Sequence, residues 1–263
     1  MSAPDVRPSS PSPAPATRAA NPATRVRSQA AFDAATILRN GEQLLVTIVL
    51  PALALVGLTL APVPEIVGHP RVDVVVPGVF ALAILSSAFT GQAIATAFDR
   101  RYGVLRLLGT TPLGRGGFLA GRVLAVLAIQ ALQFAALAAT GLALGWRPGA
   151  GALPGFFAFW LVGGATFTAL ALLFAGVLRA EAVLALANLA WAVMAGAGGV
   201  LFGAERYPGP WNTLVAALPP GALGDGMRAA FLEHTIAWGP LGVLAAWGAV
   251  FAIATVRTFR WSD

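Results

Sequence analysis

Residues 74–98 read VVVPGVFALAILSSAFTGQAIATAF, a stretch with no Asp, Glu, Lys or Arg. A helix needs about 20 mainly apolar residues to cross a hydrocarbon core, and each charge at its centre costs roughly 3 kcal/mol on insertion scales. This stretch can therefore span a bilayer. Outward from it, residues 43–64, 123–146, 148–178, 182–204 and 235–256 pass the same test, giving six uncharged windows of 22 to 31 residues. Composition agrees: 57% of the 263 residues are hydrophobic and 11% charged, with a mean hydropathy of +0.77. Soluble domains carry about a quarter charged residues. A soluble enzyme is excluded, and the chain is predicted to be an all-α integral membrane protein with six transmembrane helices over 42–257.

The flanks are of other kinds. Residues 1–23 hold six prolines among Ser, Ala and Arg, which predicts a disordered tail, and no apolar h-region of a signal peptide follows before residue 42. Residues 24–41 lose the prolines and set Val26, Ala30 and Ile37 on one helical face, as for a helix in the membrane interface, although Asp33 falls on that same face. Pro51 should kink the first span. The uncharged stretch 207–224 differs from the six windows, because Pro208, Pro210, Pro219 and Pro220 break it into short helices at the membrane surface or dipping into it. Residues 258–263 form a second tail.

All 17 basic residues are Arg, and the formal charge is +6. With the N-terminus inside, 13 arginines face the cytoplasm and only Arg71, Arg147, Arg206 and Arg228 face outward. The positive-inside rule then puts both termini in the cytoplasm. Arginines dispersed between apolar blocks argue against a nucleic-acid partner.

The densest charge lies between the second and third spans, where 99–115 reads DRRYGVLRLLGTTPLGR. Tyr102–Leu108 is predicted as a short helix with Val104, Leu105 and Leu108 on one side and Arg101 and Arg106 left polar, stopped by Gly109 and Pro112. A compact helix beyond the membrane suits docking to a soluble partner. Taken singly, each arginine here reads as a headgroup anchor.

This segment resembles the permease subunits of the ABC-2 family of ATP-driven exporters, which include drug and lipo-oligosaccharide exporters. In that family an acid, a basic residue, G-T-L, a basic residue, L-L-x-T-P-L and a basic residue follow the second span. Asp99, Arg100, Gly103, Leu105, Arg106, Leu107, Leu108, Thr111, Pro112, Leu113 and Arg115 take the matching places, with Val104 where Thr is usual. A second likeness is WNTLVAALPPGALGDGMRAAF at 211–231, similar to the family's aromatic, L-N-P-L and R-A pattern through Trp211, Pro219 and Arg228, with Leu218 in place of the common Asn. The resemblance implies a coupling helix at Tyr102–Leu108, held by Asp99, Arg100, Arg101 and Arg106 in a groove of a separate nucleotide-binding ATPase subunit. It further implies a second permease copy or a related permease, a bacterial plasma membrane, and export of a hydrophobic or amphipathic compound of antibiotic or lipid-linked type.

The residues themselves limit the alternatives. No Lys means no Walker A motif, so ATP and Mg would be bound by the partner and no cofactor by this chain. Two distant His and no Cys leave no metal cluster or activated nucleophile, so no catalytic residue is assigned. The spans contain no carboxylate, which disfavours an ion-coupled carrier. A non-transporting membrane anchor stays open. Gln92, Gln130, Gln133 and Asn188 are the polar span residues that could face a substrate path, and Gln130 and Gln133 share one helical face, where they could equally bond a neighbouring helix. Gly117 with Gly121, Gly141 with Gly145, and Gly199 with Gly203 repeat a spacing that permits close helix approach.

Overall fold

Asn21 opens the first helix by accepting from Thr24 N at 2.8 Å, with Pro22 at a position where no amide donor is needed. The computed structural model describes residues 20–61 and 68–259; of the predicted tails 1–23 and 258–263, residues 1–19 and 260–263 lie outside the described residues, as does the loop 62–67, while Pro22 and Ala23 begin the first helix and Thr258 ends the last. Within these limits the chain is helical and has no strand. Helix α1 (Pro22–Arg39) is followed by α2 (Gly41–Leu60). Next come α3 (Arg71–Ile84), a π-helical segment (Leu85–Gly91) and α4 (Gln92–Arg101), which run on as one rod. The short α5 (Val104–Gly109) leads to α6 (Gly114–Ala143), α7 (Ala152–Val177) and α8 (Ala180–Ala197). Helices α9 (Pro210–Ala216) and α10 (Pro219–Arg228) precede α11 (Trp238–Thr258).

Among the described residues five helices are long and apolar enough to cross a membrane: Arg71–Arg101, Gly116–Ala143, Ala152–Val177, Ala180–Ala197 and Trp238–Thr258. The remaining predicted window, 43–64, is helical through Leu60, but its apolar part, Thr47–Leu60, is shorter than these five. The chain is thus multi-pass. Helices α3 and α4 form its centre, since 78% of their apolar stretch is buried against 11% for α11. At the end away from α5, Phe80 lies 5.0 Å from the Phe134 ring and 5.7 Å from both Phe156 and Phe231, an aromatic plug of tilted and edge-on contacts.

Three prolines act locally. Pro51 lies inside α2 and lacks the N–H that would bond Thr47 O, and the gap is filled from another helix: Gln133 Nε2 of α6 donates to Thr47 O at 2.7 Å. Pro219 and Pro220 begin α10, where Pro is favoured, and α10 is buried along nearly its whole length. Its glycines allow that insertion. A Cβ on Gly224 would lie 2.7 Å from the carbonyls of Gly199 and Val200, and one on Gly226 would lie 2.0 Å from the Phe159 ring.

Of the three glycine pairs, only the first sets both its members against a neighbouring helix, although Gly141 of the second also approaches Val76 of α3, at 3.2 Å from its Cβ position. Gly121 sits beneath Gln29 and Gly117 beneath Val26, so α1 lies along α6. Gly145, Gly199 and Gly203 have positive φ, which makes them turn residues, and Gly199 and Gly203 follow the end of α8. Accordingly, Gly226→Ala should lower stability by about 1–3 kcal/mol or more through overpacking. Gly116→Ala, with nothing near its Cβ position, should be neutral or gain up to about 1 kcal/mol. Thermal unfolding of the full chain in detergent compares the two.

Candidate functional site

The elbow between α4 and α6 is closed at its base by charge. Arg122 of α6 pairs with Asp99 of α4 through Nη2 and lies 3.4 Å from Asp33 of α1 through Nε. The side chains of Arg122 and Asp33 are 7% and 5% exposed. Gln29 Nε2 holds the other Asp33 oxygen at 2.9 Å, and the Arg122 guanidinium lies 5.2 Å from the Phe118 ring centroid. Further out, Arg25 of α1 donates to the Pro112 carbonyl at the elbow tip. Thus α1 clasps both the base and the tip. Asp33, the residue at odds with an amphipathic helix, is the one that buries itself against α6.

The other sequence-predicted residues divide into inward and outward sets. Arg100 is buried, and its guanidinium donates to the carbonyls of Ala175 and Leu178, satisfying the C-terminus of α7 where a cation also suits the helix dipole. Arg101 pairs with Glu181 at the start of α8, both exposed. Gly103 adopts φ +78° before α5, a left-handed turn open to glycine at little cost. Leu105 is fully buried with Phe118, Leu172 and Phe259, and Leu108 packs on this cluster. Phe118 and Phe259 rings are 5.8 Å apart, so α5 is wedged against the ends of α6, α7 and α11.

Val104 departs from the sequence expectation. It is not on the inner side with Leu105 and Leu108; it is 39% exposed, next to Tyr102 at 73% and Leu107 at 70%. The inner face is centred on Leu105, which packs on Phe118, Leu172 and Phe259, with Leu108 three residues on beside it; Val104, about 100° round the helix from Leu105, falls at the exposed edge with Leu107. Arg106 is exposed and forms no ion pair among the described residues, and Pro112 is also exposed. Arg115 lies in the first turn of α6, its side chain outside the described residues.

At the opposite end Arg228 is buried and donates to the carbonyls of Val200 and Gly199 at 2.9 and 3.0 Å, and it pairs with Asp225 at 2.6 Å. It ties α10 to the turn after α8. Pro219 is buried beneath, while Trp211 is exposed on α9.

The polar span residues are mostly bonded. Gln130 donates to Ser87 Oγ at 2.9 Å and accepts from Trp160 Nε1 at 2.9 Å, and Trp191 Nε1 donates to Ser86 Oγ at 2.8 Å. The π segment thus bridges α6, α7 and α8. Asn188 is exposed and donates to Leu184 O of its own helix. Beside the π segment lies a cavity of about 780 Å³ lined by Thr90, Gln92, Gln133, Asn188 and Trp191 among others; Gln130 does not line it. A buried polar atom left unpaired costs about 1–3 kcal/mol, and Thr90 Oγ1, Gln92 Oε1 and Gln133 Oε1 are so placed among the described residues.

A largely buried central rod and five apolar crossing helices among the described residues define a multi-pass membrane protein. Residues 72–257 match the model of the ABC-2 family transporter proteins, which is more than half of the chain, and the chain belongs to that family. It is therefore an ABC-2 permease, a transport component. No curated protein matches the chain.

Two consequences of the charge cluster can be measured. Arg122→Leu leaves Asp33 and Asp99 facing each other without a cation and should cost about 3–5 kcal/mol of stability. The Asp33 carboxyl is pushed up from the usual carboxylate range by burial, with Arg122 and the Gln29 bond pulling it back and Asp99 adding to the rise. Because folding raises this pKa, ionised Asp33 opposes folding; the opposition is absent below the unfolded value and complete above the folded one. Measured against wild type by melting temperature, the stability of Asp33→Asn should therefore improve as the pH rises from about 4 to about 7.

Proposed function

We propose that this chain is the membrane-spanning subunit of an ATP-driven exporter, with α5 as its coupling helix and both termini in the cytoplasm. The reading rests on one observation: α5 is anchored inward by Leu105 and leaves Tyr102, Val104, Arg106 and Leu107 uncovered at the elbow. An apolar face with one cation suits an acidic-rimmed groove on a separate ATPase subunit, where burial supplies grip and charge sets register. ATP and Mg would sit on that subunit. Two such permeases, identical or related, would form the pathway in a bacterial plasma membrane.

On this reading ATP closure pushes α5, and the push enters three helices together. Asp99 and Arg122 lock α4 to α6, and Arg100 carries it into the end of α7. The cargo is a hydrophobic or amphipathic compound of drug-like or lipid-linked type, consistent with uncharged spans. Arg106→Glu should reduce permease-dependent ATPase turnover at least about tenfold, corresponding to about 1.4 kcal/mol of lost coupling, while leaving thermal stability unchanged. Co-purification with the ATPase and turnover in proteoliposomes measure it; undiminished turnover would remove α5 from the contact.

A further inference from the structure

The cavity beside the π segment gathers several buried polar groups that are only partly used. Ser86 and Ser87 on its wall are bonded, as are Gln130, Thr166 and Thr255 away from it, while the hydroxyls of Thr96 and Thr168 outside it stay unpaired among the described residues. Thr90, Gln92 and Gln133, which line the cavity, each keep a buried oxygen without a partner among the described residues. Gln133 shows why the imbalance persists: its amide N–H is committed to Thr47 O, the carbonyl that Pro51 leaves unbonded. The amide cannot rotate without giving up that bond, so its oxygen is the end left over.

The unsatisfied atoms define the complement. Two are amide oxygens, which only accept, and the third is a hydroxyl that can also accept. A visitor must bring donors. None of the lining residues is charged, so an ionic headgroup would enter without a counter-ion. Most of the remaining wall is apolar, from Leu50, Pro51, Ala54, Leu82, Val126 and Ile129. The volume of about 780 Å³ falls within the range of small-molecule sites. Leu50 of α2 and Asn188 of α8 line the space and are exposed, so it opens sideways between those helices. Ile37, Asn40 and Ala95 place it in the half of the bundle nearer α5.

We infer that this cavity binds an uncharged, largely apolar molecule carrying a hydroxyl or amide donor, admitted from the bilayer between α2 and α8 and held by the acceptors of Gln92 and Gln133. This rests on the exporter reading and narrows its cargo.

The test uses the full chain in phosphatidylcholine nanodiscs and two photoreactive probes, a diazirine-bearing hexadecanol and its methyl ether. They share an apolar body and differ only in the donor. The alcohol should label the cavity segments of α2 and α8 about fivefold more than the ether, the size expected of one hydrogen bond. Gln92→Leu and Gln133→Leu should each reduce that preference toward unity, and Ala54→Trp should suppress both probes by filling the space. Displacement by excess monooleoylglycerol would identify a lipid source, and displacement by benzanilide a compact compound. Equal labelling by the two probes in the wild-type chain, which requires no variant to fold, overturns the inference, as does labelling spread evenly onto α11. The assay contains no ATPase. Labelling at the cavity without any ATPase coupling would therefore sink the exporter reading alone, and coupling without labelling would sink this site alone.

Discussion

One guanidinium organises the α5 end of the bundle. Arg122 stands between Asp33 and Asp99 where little water reaches Arg122 and Asp33. A charge so placed needs its partners, because leaving one unpaired costs far more than the pair returns. Three segments distant in sequence, α1, the end of α4 and the start of α6, are consequently drawn to one point. The close approach of α1 depends on the missing side chains at Gly117 and Gly121, which turn a surface helix into a packed one. The elbow from Asp99 to Arg122 is thereby a closed loop rather than a free connection, and Leu105 pins its middle.

The two ends and the centre of the molecule are held by different physics. The α5 end uses ion pairs and the Arg100 cap on α7. The opposite end uses aromatic packing around Phe80 and the inserted α10. At the centre, where lipid provides no competing water, the serines of the π segment bridge to Trp191 and, through Gln130, to Trp160. A π turn is a strained way to run a helix. Here it lies within the most buried crossing element, directly beside the open cavity, so the least regular backbone of the span is also the part with room to move.

The crossing helices and the elbow were legible in the sequence because hydropathy, proline and glycine act locally. Runs free of charge announced five spans, and Gly109 with Pro112 marked the end of α5, whereas the Gly103 turn that starts it fell inside the predicted Tyr102–Leu108 helix. What sequence could not carry was pairing at distance. Asp33 looked like a flaw in an amphipathic face, and only its contact with Arg122 gives it a reason. Asp99 and Arg100 belong to the family pattern of the elbow, yet the first closes its base and the second caps α7. Val104 was misplaced because the buried side of so short a helix is chosen by its packing against Phe118, Leu172 and Phe259, which centres it on Leu105. Gln133 could be read as a polar neighbour of Gln130, but its link to Pro51 passes through a backbone carbonyl that no side-chain pattern reveals.

The surface left at the elbow follows by subtraction. Asp99, Arg100 and Arg101 are engaged within the chain, and Leu105 and Leu108 face inward. Tyr102, Val104, Arg106 and Leu107 remain, three apolar contacts around one cation. Such a face transmits displacement better than a purely charged one, since exposed ion pairs contribute only about 0–1 kcal/mol each and weaken with salt, whereas each buried large apolar side chain contributes about 1.5–3 kcal/mol. The arginines that dominate the sequence of the elbow therefore act chiefly as internal bracing. In the proposed ATPase contact the grip would come from Tyr102, Val104 and Leu107, with Arg106 setting the register.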